Sequence, residues 1–188
     1  MLMDSTVATL PNETALVARA MAEPVAFATI YDHYFPRVYN YVRYRVREAQ
    51  AADDVTALVF EAAWRGLGSY RPERAPFAAW LFAIARNTVN SHLRAKRRRR
   101  WLSLEVLRDR PGGEPLPEQV VIQHETRAAL LEALARLSER ERDLIALRFA
   151  AGLTHRHIAQ LVDLSESNVA VILYRAVQRL RASLGGKE

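Results

Sequence analysis

Asn87, Asn90, Arg94 and Arg97 recur at i, i+3, i+7 and i+10, a spacing that puts two carboxamides and two guanidiniums on one side of an α-helix. Carboxamides read base edges and arginines hold phosphates, so the chemistry suited to this face is nucleic-acid recognition. The run Lys96–Arg100 adds consecutive cations to the same helix, including Arg97 and Arg98, and Arg86 sits beside Asn87. Tyr70, Phe77 and Trp80 precede this face and Trp101 follows it. Most of the chain's rings are expected in the core, but a few exposed ones can stack on unpaired bases.

A second constellation lies at 155–174. A helix-turn-helix needs a short helix, a tight turn and a second helix, with a small residue where the helices cross. Ala159 takes the crossing position, and Ile158, Val162, Leu164, Val169 and Ile172 supply apolar residues at the required offsets. Asp163 stands where the turn usually has glycine, and Asp is one of the few other residues that tolerate positive φ. Ser165 is the expected N-cap of the second helix. On this unit His155, Arg156, Ser165, Ser167, Asn168, Val171, Arg175 and Arg179 are the candidate DNA contacts. Asn168 is expected to read bases, and the arginines to fix register on phosphates.

Enzyme chemistry finds little support. The sequence has no phosphate-cradling Gly-rich loop, no nucleophile elbow and no HExxH spacing, and it contains no cysteine. His155 and His157 are two positions apart on a helix and face away from each other, so one metal cannot easily take both. Asp53 and Asp54 read as a solvated helix start rather than an acid/base dyad. No catalytic residue, metal or cofactor is expected.

These faces must be carried by helices. The 188 residues are 50% hydrophobic and 26% charged, enough to bury one medium core or two small ones. Lys+Arg 27 against Asp+Glu 21 gives +6, and all but Lys96 and Lys187 of those cations are arginine, which favours a polyanionic partner. Val55, Leu58, Val59 and Ala62 give one apolar stripe, and Phe60, Trp64 and Leu67 a second edge, on a helix expected to be buried on two sides. Pro76 suits the start of a helix whose stripe is Phe77, Leu81, Ile84 and Thr88, continuing to Leu93. Pro36 is expected to kink or divide an aromatic-rich segment from Val25 to Val46. Helices are expected at roughly 119–136, 139–150, 154–162 and 166–182, and strand-like alternation is absent, so the fold class is all-α.

Residues 111–117, PGGEPLP, place a flexible linker at 101–118. Two small helical domains result, at 23–100 and 119–184, after an N-terminal segment at 1–22. Beyond residue 101 the aromatics are Phe149 and Tyr174, a compositional shift across the linker. There is no run of about 18 apolar residues and no signal-peptide order at the N-terminus, so no membrane insertion is expected and the compartment reads as cytoplasmic.

The segment DDVTALVFEAAWRGLGSYRPERAPFAAWLFAIARNTVNSHLRAKRRRR, followed by LARLSERERDLIALRFAAGLTHRHIAQLVDLSESNVAVILYRAVQRLR, resembles the extracytoplasmic-function (ECF) group of bacterial RNA polymerase sigma factors in the sigma-70 family. The resemblance covers both lobes in order. It implies a non-enzymatic initiation factor that binds core RNA polymerase, with a domain for the melted −10 element and a helix-turn-helix domain for the double-stranded −35 element. By similarity, the helix at 52–67 faces polymerase through Asp53, Asp54, Leu58 and Glu61. Tyr70, Trp80, Arg86, Asn87, Asn90, Arg94, Lys96, Arg97 and Arg98 would serve the −10 region, with Asn87 helping to hold a flipped base. The group also admits an anti-sigma factor as partner.

The chain departs from the group at two places. Ala57 and Leu58 replace a polar pair common at the polymerase contact, and Ala170, Val171 and Ile172 replace the polar readers of the recognition helix. A stand-alone helix-turn-helix regulator with an N-terminal sensor is the competing reading, but such a sensor has no use for an amide-and-arginine helix.

Overall fold

The computed structural model describes residues 10–102 and 118–185, and every regular element among them is helical. The N-terminal part contains α1 (Glu13–Ala22), α2 (Pro24–Val46), α3 (Ala49–Gly66) and α4 (Phe77–Leu102), with a short 3₁₀ turn at Leu67–Ser69. The C-terminal part contains α5 (Glu118–Ala135), α6 (Glu139–Ile145), a π turn at Ala146–Ala150, α7 (His155–Val162) and α8 (Glu166–Gly185). Residues 111–117, on which the linker expectation rests, lie outside the described residues.

Helix α2 is the central element. Ile30, Tyr34, Val38, Tyr41, Val42 and Arg45 are buried at spacings of three and four, giving one continuous stripe. That stripe carries the helix straight through Pro36, so the segment is not divided. Pro36 is exposed, as is Asp32, the residue whose carbonyl loses its usual i+4 donor, so water can take that hydrogen bond. Helix α1, which lies in the segment assigned no structure of its own, buries Val17 and Ala20, and the Tyr34 hydroxyl donates to Glu13 Oε1.

Helix α3 packs Ala52, Val55, Thr56, Val59, Phe60 and Ala63 inward. The two-sided burial expected from sequence is corrected here: Leu58 is half exposed, and Trp64 also reaches the surface, where its ring meets Phe27 edge-on with centroids 4.9 Å apart. Helix α4 buries Phe77, Ala78, Leu81, Phe82, Ala85 and Val89, a stripe rotated slightly from the one expected, with Ile84 and Thr88 at its edge. The first helical bond of α4 is accepted by the carbonyl of Pro76.

The C-terminal half caps its helices heavily, and α6 and α7 are short, with 7 and 8 residues. Ser138 and Glu141 form a reciprocal capping box at the start of α6. Arg142 donates to the carbonyls of Leu134, Ala135 and Leu137, each at 2.9 Å, and so ties the end of α5 and the turn that follows it to α6. Gly152 adopts φ 69, and a Cβ there would meet Arg37 Nη2 at 3.3 Å, so this turn favours glycine on both backbone and space. The buried residues of both halves form one hydrophobic cluster: α2 packs on α6 and the π turn, and α4 packs on α7.

Candidate nucleic-acid interface

The basic run is helical and continuous with the amide-bearing helix, since α4 extends to Leu102. Its polar residues nevertheless divide into two stripes. At about 100° per residue, Asn87, Arg94 and Arg98 fall within about 40° of one another, and Arg86, Asn90 and Arg97 form a second group about 80° away. The first stripe is open: Asn87, Arg94 and Arg98 are exposed, and Arg94 Nη2 lies 3.0 Å from Ser91 Oγ.

The second stripe faces the C-terminal helices. Arg86 donates from Nε to Asp143 Oδ2 at 2.8 Å and from Nη1 to the Leu161 carbonyl at 3.0 Å. Asn90 Oδ1 accepts from Arg45 Nη2 at 2.8 Å, and Arg97 pairs with Glu139. Lys96 Nζ lies 2.5 Å from Glu48 Oε1. The single polar face expected from the spacing of Asn87, Asn90, Arg94 and Arg97 is therefore two faces with different neighbours.

The junction between the halves centres on Asp143, which is 5% exposed. Its carboxylate accepts from the Tyr41 hydroxyl at 2.9 Å, pairs with Arg86, and has Arg45 Nε at 3.5 Å, too long for a hydrogen bond. Arg45, itself buried, also donates to the Glu139 carbonyl at 2.9 Å. Burial and the adjacent Asp143 carboxylate both push the Tyr41 hydroxyl pKa up, which keeps it a neutral donor. An open cleft beside this cluster is lined by Arg45, Arg86, Asn90, Glu139, Arg140 and Asp143.

Of the aromatic residues near Asn87, Tyr70 and Phe77 are buried and meet edge to face, 5.3 Å between centroids. Trp80 is partly exposed and packs on both, 5.6 Å from Tyr70 and 5.2 Å from Phe77. Trp80 thus presents the accessible ring, two helical turns before Asn87 on the same side of α4, and the other two support it. Trp101, at the far end of α4, is 87% exposed.

The second unit has helix-turn-helix geometry. Thr154 caps α7 by accepting from the His157 backbone N–H at 3.2 Å, and Ser165 caps α8 by accepting from the Asn168 N–H at 3.2 Å. Asp163 ends α7 at φ 54, ψ 57, the left-handed conformation its side chain tolerates. Ala159 is buried at the crossing, with Ile158 and Val169 buried beside it and Val162, Leu164 and Ile172 packed on the same core. Sequence spacing missed Leu173 and Ala176, which complete the buried face of α8. Ser165, Ser167, Asn168, Val171 and Arg175 are exposed, Arg156 is exposed on α7, and His155 is partly covered. Arg179 is exposed but lies 2.6 Å from Glu141 Oε1, so it also braces α8 on α6.

On α3, Asp53, Asp54, Leu58 and Glu61 are all exposed, with Glu61 bridged to Arg65 at 2.6 Å. Among the described residues no cluster of three or more His, Asp or Glu side chains is arranged to hold a metal, and no helix is long and apolar enough to cross a membrane.

Comparison with known proteins gives this arrangement a family. Residues 30–99 match Sigma-70 region 2, and residues 133–182 match Sigma-70, region 4. The ECF RNA polymerase sigma factor BldN of Streptomyces coelicolor is 36% identical over 166 residues, 88% of this chain and 63% of BldN, so the chain spans less than two thirds of that relative. SigD of Mycobacterium tuberculosis, also an ECF sigma factor, is 33% identical over 172 residues, 89% of this chain and 81% of SigD. The fold is shared with CnrH bound to the cytosolic domain of CnrY, at TM-score 0.69 and 23% identity over 93% of this chain and 97% of that one. It is shared too with RpoE of Bartonella quintana bound to the anti-sigma factor NepR, at TM-score 0.67 and 21% identity over 86% of this chain and 98% of that one. With both sigma regions matched in order and relatives of this identity along most of its length, the chain belongs to the ECF group of RNA polymerase sigma factors in the sigma-70 family.

Proposed function

We propose that this sigma factor binds core RNA polymerase, holds the melted −10 strand with α4 and the duplex −35 element with α7 and α8, and carries no catalytic activity of its own. Its working units are 23–100 and 119–184, joined through 101–118, and it acts in the cytoplasm, where polymerase and promoter DNA are. The observation that carries this reading is the open stripe Asn87, Arg94 and Arg98 beside the accessible edge of Trp80, on a chain that also exposes Asn168 and Arg175 on a capped second helix.

A flipped base gives up stacking worth a few kcal/mol, so its acceptor must offer both an amide and an apolar wall, and Asn87 with Trp80 provides that pair of chemistries. The polymerase face is assigned to the exposed Leu58 with Asp53, Asp54 and Glu61 around it, an apolar centre rimmed by charge. An anti-sigma factor is a fitting further partner, since CnrH and RpoE were captured with CnrY and NepR. The test is binding of single-stranded −10 oligonucleotides in the presence of core polymerase. Asn87→Ala is expected to relax preference at one base by about 1–3 kcal/mol, whereas equal preference in variant and parent would refute the role.

A further inference from the structure

We propose that Val171 and Tyr174, on the outermost side of α8, are thymine readers: each packs against the 5-methyl group of a thymine in the major groove of the −35 duplex, on neighbouring base pairs. The proposal rests on the assignment of α7 and α8 to the −35 element and adds the chemistry of its specificity.

The geometry of α8 singles out this pair. At about 100° per residue, Ser167, Val171, Tyr174 and Gln178 fall within about 60° of one another, and the buried Val169, Leu173 and Ala176 lie on the opposite side. Asn168, Arg175 and Arg179 form a flanking stripe about 90° away. That flank turns towards α6, since Arg179 lies 2.6 Å from Glu141 Oε1. The side of α8 that points straight out is therefore centred on a valine that is 47% exposed and a tyrosine that is 62% exposed. Both stand in the first half of the 20-residue helix, the part that a helix-turn-helix presents to base edges.

Their spacing fits a duplex. Three residues advance a helix by about 4.5 Å, against about 3.4 Å between base pairs, so Val171 and Tyr174 reach neighbouring pairs when α8 lies along the groove. Thymine alone among the four bases carries a methyl on its major-groove edge, beside the O4 acceptor. Valine packs on that methyl but offers no hydrogen bond. A G·C pair in the same place would lose water from its O6 and N4 groups with nothing in exchange. The tyrosine ring packs on the second methyl, while its hydroxyl can donate to O4 or a phosphate. Attraction to the methyl and a penalty against G·C act together, and Asn168, one turn before Val171, reads a separate position.

Charge selects nucleic acid rather than protein as the occupant of this stripe. Arg156 on α7 and Arg175 on α8 are both exposed, and guanidiniums suit the phosphates that flank a groove.

The experiment uses the full chain reconstituted with core polymerase. Promoter duplexes randomised across the −35 window are selected for binding, and the selected duplex is resynthesised with deoxyuridine for each thymine in turn, which removes the methyl and keeps the base pair. The parent is expected to select neighbouring A·T pairs and to lose about fourfold in affinity for each contacted methyl, the effect of one buried carbon. In Val171→Ser the loss is expected to vanish at one of the two positions, and in Tyr174→Ser at its neighbour. Both side chains are exposed, so both variants are expected to fold, which matching thermal midpoints check.

A parent indifferent to every deoxyuridine would overturn the proposal, as would a loss that persists unchanged in both variants. Arg175→Ala separates this result from failure of the −35 assignment. If Arg175→Ala weakens binding while deoxyuridine has no effect, α8 sits on the duplex but does not read methyls. If neither change matters, the assignment of α8 to the −35 element falls as well. Loss of core-polymerase binding in Val171→Ser, with no methyl dependence in the parent, would make the stripe a protein-docking face and overturn the proposal.

Discussion

Tyr41, on the central helix of the N-terminal half, donates its hydroxyl hydrogen to Asp143 of the C-terminal half at 2.9 Å, and both side chains are buried. A hydrogen bond to a charged partner contributes about 1.5–3 kcal/mol, and here the energy resides in the junction rather than in either half. Tyr41→Phe removes the hydroxyl and keeps the ring that meets Phe82 at 5.7 Å. The expected result is about 2 kcal/mol less resistance to urea in the transition that separates the halves. An unchanged urea profile would show that the carboxylate is satisfied without Tyr41.

The cationic end of α4 gives a salt-dependent prediction. Replacing Arg97 to Arg100 by alanine is expected to weaken promoter-complex formation with little regard to sequence, and to reduce the magnitude of the log–log salt slope by about 0.7–0.9 for each phosphate the protein no longer neutralises. Titrations between low and moderate salt measure the slope directly, and an unchanged slope would mark the run as a solvated end.

On the recognition helix, Asn168 and Arg175 are both exposed but have different chemistry. Asn168→Ala is expected to alter preference at one or two −35 positions by about 1–3 kcal/mol, since a carboxamide reads a base edge. Arg175→Ala is expected to lower affinity nearly uniformly, because a guanidinium on a phosphate positions the helix without reading sequence. A panel of −35 duplexes measured with both variants separates the roles, and the reverse pattern would require α8 to dock in a different register.

His157 makes the helix-turn-helix sensitive to mild acid. Burial, with the neighbouring Arg156 charge second, holds its imidazole pKa below the usual 6.5. Its Nδ1 is buried without a hydrogen-bond partner, so an imidazolium would have one N–H unmatched. Because the unfolded chain binds the proton more readily than the folded one, the contribution of His157 is fully present above about pH 6.5 and is lost as pH falls through the depressed folded value. Thermal midpoints measured from pH 7.5 down to 5.5 are expected to fall for the parent and to fall less for His157→Gln.

Much of this organisation was legible in residue spacing. The helix-turn-helix followed from Ala159, its apolar offsets and two local signals, Asp163 at the turn and Ser165 at the cap, all of which act within a few residues. Helix α4 and its continuation into the basic run were legible for the same reason. What spacing could not show depends on distant neighbours. The string Ser138–Asp143 reads as a charged, solvated helix start, and only the approach of Tyr41, Arg45 and Arg86 buries Asp143. The same approach splits the α4 polar face, because Arg86, Asn90 and Arg97 meet the C-terminal half while Asn87 and Arg94 do not. Pro36 misled in the other direction: local chemistry favours a break, but the buried stripe from Ile30 to Arg45 outweighs one missing hydrogen bond on the solvent side. Helix α1 had a weak signal in Leu16, Val17 and Ala20, too short a pattern to stand without α2 beneath it.

The central claim is that this chain works through polymerase. Gel filtration of the purified protein with core RNA polymerase tests it most directly, with the Leu58→Asp variant, checked for folding, run in parallel. The expected result is that the parent co-elutes with core enzyme in a stoichiometric complex and the variant, with a charge at the centre of the proposed docking face, does not. If the parent elutes alone at its own size, the account of a polymerase-bound promoter reader is contradicted; if the variant co-elutes as well as the parent, the docking face is not centred on Leu58.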